Sequence, residues 1–80
     1  MSLNSGRKTY QIAALERAIE RYGPLTSYQI VELARFKSGR SVNLSSKSAR
    51  IMLERAPQFV IYDSLTLGRE VIPRYILKSQ

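Results

Sequence analysis

The 80-residue chain has no cysteine, no histidine and no tryptophan. Without cysteine no disulfide framework exists, and an intracellular, cytoplasmic home is the natural expectation. Without cysteine or histidine the ligands of a structural zinc site are missing. Serine–histidine–aspartate and cysteine–histidine nucleophile systems fall for the same reason. Acids are scarce too: Glu16, Glu20, Glu32, Glu54, Asp63 and Glu70 are all there are. Each reads as a surface partner of a nearby base. No P-loop and no dinucleotide glycine pattern occurs. The chain is therefore not expected to be an enzyme or to carry a cofactor or metal. No apolar run approaches the length of a membrane span, and Met1–Gly6 lacks the charged-then-apolar order of a signal peptide. No membrane partner and no small-molecule ligand is expected.

What the chain has is positive charge and enough apolar matter to fold. Thirteen Lys and Arg give a formal charge of +7, and hydrophobic residues make up 44%. That length and composition fit one domain with one modest core. A flexible leader is expected over residues 1–7, followed by a single folded domain over 8–80. The excess charge favours an anionic partner, unless it is only the solvated surface of a basic protein.

Three helices are expected. In the first, from Lys8 or Thr9 to Tyr22, Ile12, Leu15, Ile19 and Tyr22 recur at helical spacing. Gly23 and Pro24 end it. The second opens at Thr26, which has the capping-box spacing with Gln29, and Leu25 and Ile30 stand at the staple positions. Its buried stripe is Ile30, Leu33 and Ala34, and it is expected to run far enough to place Arg35 and Lys37 in its last turn, before Ser38-Gly39. Arg40 to Leu44 is a connector. The third helix starts at Ser45 or at Asn43, Ser45 as the cap setting Leu44 and Ala49 at the staple positions. Ala49, Met52, Leu53 and Ala56 share one face, and the helix stops before Pro57. Ser46, Lys47 and Arg50 face solvent.

The remainder reads as a β-hairpin, Phe59-Val60-Ile61-Tyr62 against Val71 to Leu77. Pro73 marks its strand as an edge at that point. Two registers compete. A two-residue turn at Gly68-Arg69 pairs Leu67 with Glu70, Asp63 with Arg74 and Tyr62 with Tyr75. A longer loop slips the pairing by one, setting Phe59 opposite Leu77 and Ile61 opposite Tyr75. The longer loop is preferred here, because it gathers Phe59, Ile61, Tyr75 and Leu77 on one core face. The five tyrosines read as half-buried core and rim residues rather than base-stacking platforms.

Helix, helix, connector, helix and hairpin in that order, α+β and mainly α, resemble the winged-helix variety of the helix-turn-helix superfamily. The resemblance covers about Lys8 to Lys78. Its most specific stretch is Leu44-Ser45-Ser46-Lys47-Ser48-Ala49-Arg50-Ile51-Met52-Leu53, which resembles a recognition helix. Phe59-Val60-Ile61-Tyr62 and Arg74-Tyr75-Ile76-Leu77 resemble wing strands. The resemblance implies DNA binding, with the third helix in the major groove and the wing beside it. The chain departs from the pattern in two ways. Its connector is longer than the usual three- or four-residue turn, and only Pro24-Leu25 offers a first strand.

The charge pattern leads the same way. Arg35, Lys37, Arg40, Lys47 and Arg50 follow one another with no acid between Arg35 and Arg50. If the fold brings them together they form one basic face for phosphates. Lys47 and Arg50 are the expected groove contacts, Arg50 having the fork that pairs with guanine. Arg35, Lys37, Arg40, Ser46 and Arg69 are the expected phosphate contacts. The expected partner is double-stranded DNA, bound by a nucleoid-associated homodimer that regulates transcription. Tyr10, Ala14 and Ala18 on the first helix, or an uncovered face of the hairpin, offer its interface. Two rival readings stand: an RNA-binding or ribosome-associated winged helix, and a winged helix used only for protein–protein contact.

Overall fold

The computed structural model describes the backbone over residues 3–78 and the side chains over residues 9–78. Along the chain run α1 (Leu3–Tyr22), β1 (Leu25–Thr26), α2 (Ser27–Leu33), α3 (Ser46–Arg55), β2 (Phe59–Leu67) and β3 (Glu70–Leu77). The fold is α+β: the described residues form three helices and one antiparallel sheet in the order β1–β3–β2. Tyr75, Leu15, Ile19, Ile30 and Leu53 are its largest fully buried side chains, so α1, α2, α3 and β3 all feed one core.

α1 starts at Leu3, ahead of the expected Lys8 or Thr9. Leu3 to Arg7 of the expected leader thus belong to the helix, while Met1 and Ser2 lie outside the described residues. Lengthening a helix that already exists needs no new nucleus, and Gly6 costs that extension only about 1 kcal/mol. Leu15 and Ile19 are buried as expected, and Ala14 and Ala18 are buried with them. These alanines are therefore already spent on the core and are not free for a dimer contact. Tyr22 was expected on the buried stripe but is exposed, on the last turn, with the Arg21 guanidinium over its ring at 5.6 Å.

Thr26 both ends β1 and caps α2. The Gln29 N–H donates to Thr26 Oγ1 and the Thr26 N–H donates to Gln29 Oε1, each at 3.1 Å. This is the expected capping box. α2 is shorter than expected. It stops at Leu33, and Ala34 already has extended backbone. Arg35 and Lys37 are consequently not on its last turn. The chain leaves the helix because Val42 has to be buried: Arg35 bridges Ser41, and the Val42 N–H donates to the Ala34 carbonyl at 3.4 Å. Between them, Phe36 to Arg40 form a tight turn, with the Phe36 N–H on the Arg40 carbonyl at 2.9 Å and Gly39 at φ +84°. A left-handed conformation there suits only glycine. α3 begins as expected, with Ser45 accepting from the Ser48 N–H at 3.1 Å, and ends at Arg55 before Pro57.

In the hairpin both expected registers occur, one at each end. At the base Phe59 pairs with Leu77 and Ile61 with Tyr75. At the tip Asp63 pairs with Arg74 and Leu67 with Glu70, which leaves the two-residue turn Gly68-Arg69. The longer loop is thus corrected to a tight turn, with Gly68 at φ +62° in its first position, as a type II′ turn requires. Tyr62 does not face Tyr75. It is the extra residue of a β-bulge between Ile61 and Asp63, which absorbs the one-residue slip. Arg74 holds Asp63 in a bidentate pair along one guanidinium edge, Nε donating to Oδ1 at 2.6 Å and Nη2 donating to Oδ2, and lies over the Tyr62 ring at 5.7 Å. The hydrogen bond from Arg74 keeps the Asp63 carboxyl below its ordinary pKa.

β3 is the central strand, yet β1 accompanies it only as far as Arg74. Counted from the tight turn, Pro73 falls at a non-hydrogen-bonded position towards β2, so its missing donor lies on the open side. Ile61 was expected in the core but is 60% exposed, because of outer strand β2 only Phe59 is buried. Four tyrosines, Tyr10, Tyr22, Tyr28 and Tyr62, are exposed rather than half-buried, and only Tyr75 is core.

The bulge has a direct test. Deleting Tyr62 should leave every other cross-strand pair in place and cost only about 1 kcal/mol, the worth of its contact with Arg74. Deleting Ser64 instead also removes the extra residue, but it sets Tyr62 opposite Arg74 and turns Asp63 to the Tyr75 face opposite Pro73, which breaks the Asp63–Arg74 pair and should cost more. Thermal melts of the two variants check this; equal losses would contradict the bulge account.

Candidate nucleic-acid interface

Two ion pairs form among the described residues, Arg50–Glu54 and Arg74–Asp63. The expectation that all six acids neutralise nearby bases is therefore not met. Among the described residues the other cations carry no ion pair, and where they sit decides what they can bind.

A groove of about 390 Å³ lies between the start of α3 and the β3 side of the hairpin. Ser46, Lys47 and Arg50 border it from α3, Tyr28 from the first turn of α2, and Glu70 and Val71 from the hairpin. Local sequence explains each placement. The Ser45 cap puts Ser46 and Lys47 in the first turn of α3, whose N–H groups a helix leaves without intrahelical acceptors. Arg50 follows one turn later on the exposed side, while Ala49 and Leu53 point to the core. Lys47 is exposed and Ser46 half-buried at the rim. The sequence alone does not place Tyr28, Glu70 and Val71 at the site. Tyr28 had a signal, since the capping box at Thr26 fixes it in the first turn of α2. Glu70 and Val71 had one only once the hairpin turn was placed.

Arg50 is not fully free. Its Nε donates to Glu54 Oε1 at 3.1 Å, one helical turn away, and this hydrogen bond raises the guanidinium pKa above its ordinary value. The pair is exposed, so it orients Arg50 more than it stabilises the fold. Among the described residues Glu54 is the only ion-pair partner of this guanidinium, which leaves Nη donors for another acceptor. Beneath the pair lies Tyr75, 1% exposed, whose hydroxyl is buried without a hydrogen-bond partner. Burial pushes its phenol above the usual pKa; the Glu54 charge adds to this, whereas the Arg50 guanidinium opposes it by its charge and by a polar contact that falls short of hydrogen-bond geometry.

The other expected residues lie elsewhere. Arg69 is at the hairpin tip, in the Gly68-Arg69 turn. Arg35 spends its Nη1 on the Gly39 carbonyl at 3.1 Å and so serves its own turn. Lys37 and Arg40 border a different groove, against α1. The structure thus brings Ser46, Lys47 and Arg50 together and divides the expected single basic face in two. Among the described residues no cluster of acids has metal-binding geometry, and no helix is long and apolar enough to cross a membrane.

Compared with family models, curated proteins and solved structures, the chain matches none.

The Tyr75 hydroxyl gives a stability test. An unsatisfied buried hydroxyl costs about 1–3 kcal/mol, so Tyr75→Phe should leave stability unchanged or raise it by about 1 kcal/mol. Urea titration measures it. A loss of comparable size would show that the hydroxyl has a partner.

Proposed function

We propose that the chain is a winged-helix protein that binds duplex DNA and serves as a small transcription regulator in the cytoplasm, at the nucleoid. In this reading α3 enters the major groove and the β2–β3 hairpin is the wing. The observation that carries it is the groove between α3 and β3: Lys47 and Arg50 stand on one wall, on a helix whose first turn has unclaimed N–H groups, and the hairpin that ends in Arg69 forms the other. Lys47, Ser46 and the first-turn N–H groups suit phosphate oxygens. Arg50 has Nη donors available for the O6 and N7 of guanine, with Glu54 holding its Nε. β1 supplies the first strand that the winged-helix pattern asks for. Glu70, on the hairpin side of the groove, repels a phosphate placed too close and so helps to fix which way the duplex lies.

The proposed active form is a homodimer. Its interface is the hairpin face turned away from Tyr75. By alternation along the strands this face carries Val60, Leu65 and Leu67 of β2 around the Asp63–Arg74 pair, with Glu70 opposite Leu67; of the β3 residues of the same parity, Ile76 packs against the core and Ile72 borders the α3–β3 groove. Val60 and Leu67 are exposed there, and Tyr62, under Arg74, is exposed beside them. β2 is also the outer strand of the sheet, with no lysine or proline to guard its edge. An apolar face of this kind is uncommon on a lone monomer.

Binding to duplex DNA should weaken steeply with salt. Two or three phosphates neutralised by each copy give a slope of log K on log salt of roughly −4 to −5. Lys47→Ala should weaken all sequences alike, whereas Arg50→Ala should cost a preferred sequence roughly 1–3 kcal/mol more than a random one. Fluorescence anisotropy over a salt series checks both. A flat salt dependence, or tighter binding to duplex RNA than to DNA, would contradict the proposal.

Sedimentation equilibrium at micromolar concentration should give a dimer mass for the natural chain and a monomer mass for a Val60→Lys, Leu67→Lys variant. A monomer mass for the natural chain, free and on DNA, would remove the dimer.

A further inference from the structure

The second groove, of about 640 Å³, lies between α1 and the turn that follows α2. Tyr10, Ala13 and Arg17 border it from α1; Phe36, Lys37 and Arg40 border it from the turn. We propose that this groove is a docking site for an acidic peptide segment of a partner protein, one that carries an apolar side chain among its carboxylates. The inference does not rest on the DNA reading, because it uses none of the residues of the α3–β3 groove.

Charge complementarity gives the sign of the partner. Arg17, Lys37 and Arg40 all stand on the rim, and no acid lines the groove. None of the three is engaged in the ion pairs among the described residues, which use Arg50 and Arg74. α1 sorts its own charges. Arg17 borders this groove, whereas Glu16 and Glu20 border another one beside Pro57 and Gln58, where Glu16 accepts from the Gln58 amide at 2.8 Å. The acids of α1 therefore do not dilute the positive rim, and an incoming carboxylate meets cations from both walls.

The floor decides what kind of anion. Ala13 is half-buried, and Phe36 is half-buried and packed on the core. Tyr10 is 71% exposed above them. A volume of this size falls in the range of ligand-binding clefts. A sugar–phosphate strand would leave that apolar floor in contact with water or polar atoms. Nor do the rings form a track for successive bases, as single-stranded nucleic acid requires, because Phe36 is committed to the core and only Tyr10 is free. An apolar side chain flanked by carboxylates satisfies floor and rim together.

The rim is also held in place. The bridge between Arg35 and Ser41, the hydrogen bonds of Phe36 with Arg40 and of Gly39 with Phe36, and the Arg35 guanidinium on the Gly39 carbonyl all brace the turn that carries Lys37 and Arg40. Binding to a braced turn forfeits less ordering entropy than binding to a loose one. The same bracing explains why the chain spends residues on a connector longer than a helix–helix turn needs.

The probe is a fluorescein-labelled synthetic peptide of alternating aspartate or glutamate with leucine or phenylalanine, titrated with the full chain and read by anisotropy. Lys37→Glu should weaken its binding about tenfold, a normal cost for reversing a rim charge against an anionic partner. Arg55→Glu, which makes the same change in net charge elsewhere, should weaken it by less than about threefold. Tyr10→Ala, which alters no charge, should weaken it several-fold. Circular dichroism melts confirm that the exposed-site variants fold. Equal effects of Lys37→Glu and Arg55→Glu would overturn the proposal, because attraction to net charge alone would then explain binding. So would oligoglutamate binding as tightly as the mixed peptide. Oligothymidylate bound more tightly than the peptide, and lost on Lys37→Glu, would overturn it in favour of a single-stranded nucleic-acid groove. No binding of the peptide at low salt would also overturn it.

Discussion

Tyr75 is held from both sides. It pairs with Leu25 of β1 across one edge of β3 and with Ile61 of β2 across the other, and its ring is sealed in the core beside Leu15, Ile19, Ile30 and Leu53. That double constraint fixes the base of the hairpin against the helices, with Phe59 and Leu77 buried alongside. The tip answers to a different demand, since a two-residue turn opening with Gly68 must pair Leu67 with Glu70. The two demands differ by one residue. A hairpin without the Tyr62 bulge would have to give up either the buried base or the Asp63–Arg74 pair at mid-strand. With the bulge it keeps both, and the tip stands beside α3 instead of folding onto the core.

From that geometry follows the groove of the proposed function. α3 is fixed by Ser45 at its start and by the burial of Ala49 and Leu53 beneath it, which leaves Lys47 and Arg50 outside. Glu54 restrains Arg50 without neutralising its outer donors. The second groove owes its form to another core residue. Burial of Val42 pulls the chain out of α2 at Leu33 and folds residues 36–40 back towards α1. Two buried side chains, Tyr75 and Val42, thereby divide the basic residues into two sites with different floors. In the reading proposed here, one site takes phosphates and base edges and the other takes carboxylates set around an apolar anchor, so a single small domain could hold DNA and a protein at once.

Much of this was legible in the residues. Caps and periodicity are local, and they located α3, the start of α2 and most of the core; Thr26, Ser45 and Pro57 mark element ends that the structure repeats. The end of α2 was not legible, because Arg35 and Lys37 continue a plausible helix and only the distant requirement of Val42 stops it. The hairpin registers were each legible, but as alternatives. A bulge reconciles two non-local demands, and no local pattern around Tyr62 announces it. Ala14 and Ala18 read as helix formers next to a stripe, and packing made them part of the core. At the site, Ser46, Lys47 and Arg50 were legible as neighbours because they share one helix. Lys37 and Arg40 were misplaced because the reading of a single basic face assumed a longer α2.

The central claim is that nucleic acid is bound by the walls of the α3–β3 groove. Amide chemical shifts of the nitrogen-15-labelled chain, followed during titration with a short DNA duplex, test it most directly. The account predicts the largest changes at Ser46, Lys47 and Arg50 on α3 and at Arg69 and Glu70 near the hairpin tip, with little change from Phe36 to Arg40. Changes concentrated at Phe36 to Arg40 and on α1, with α3 silent, would contradict it.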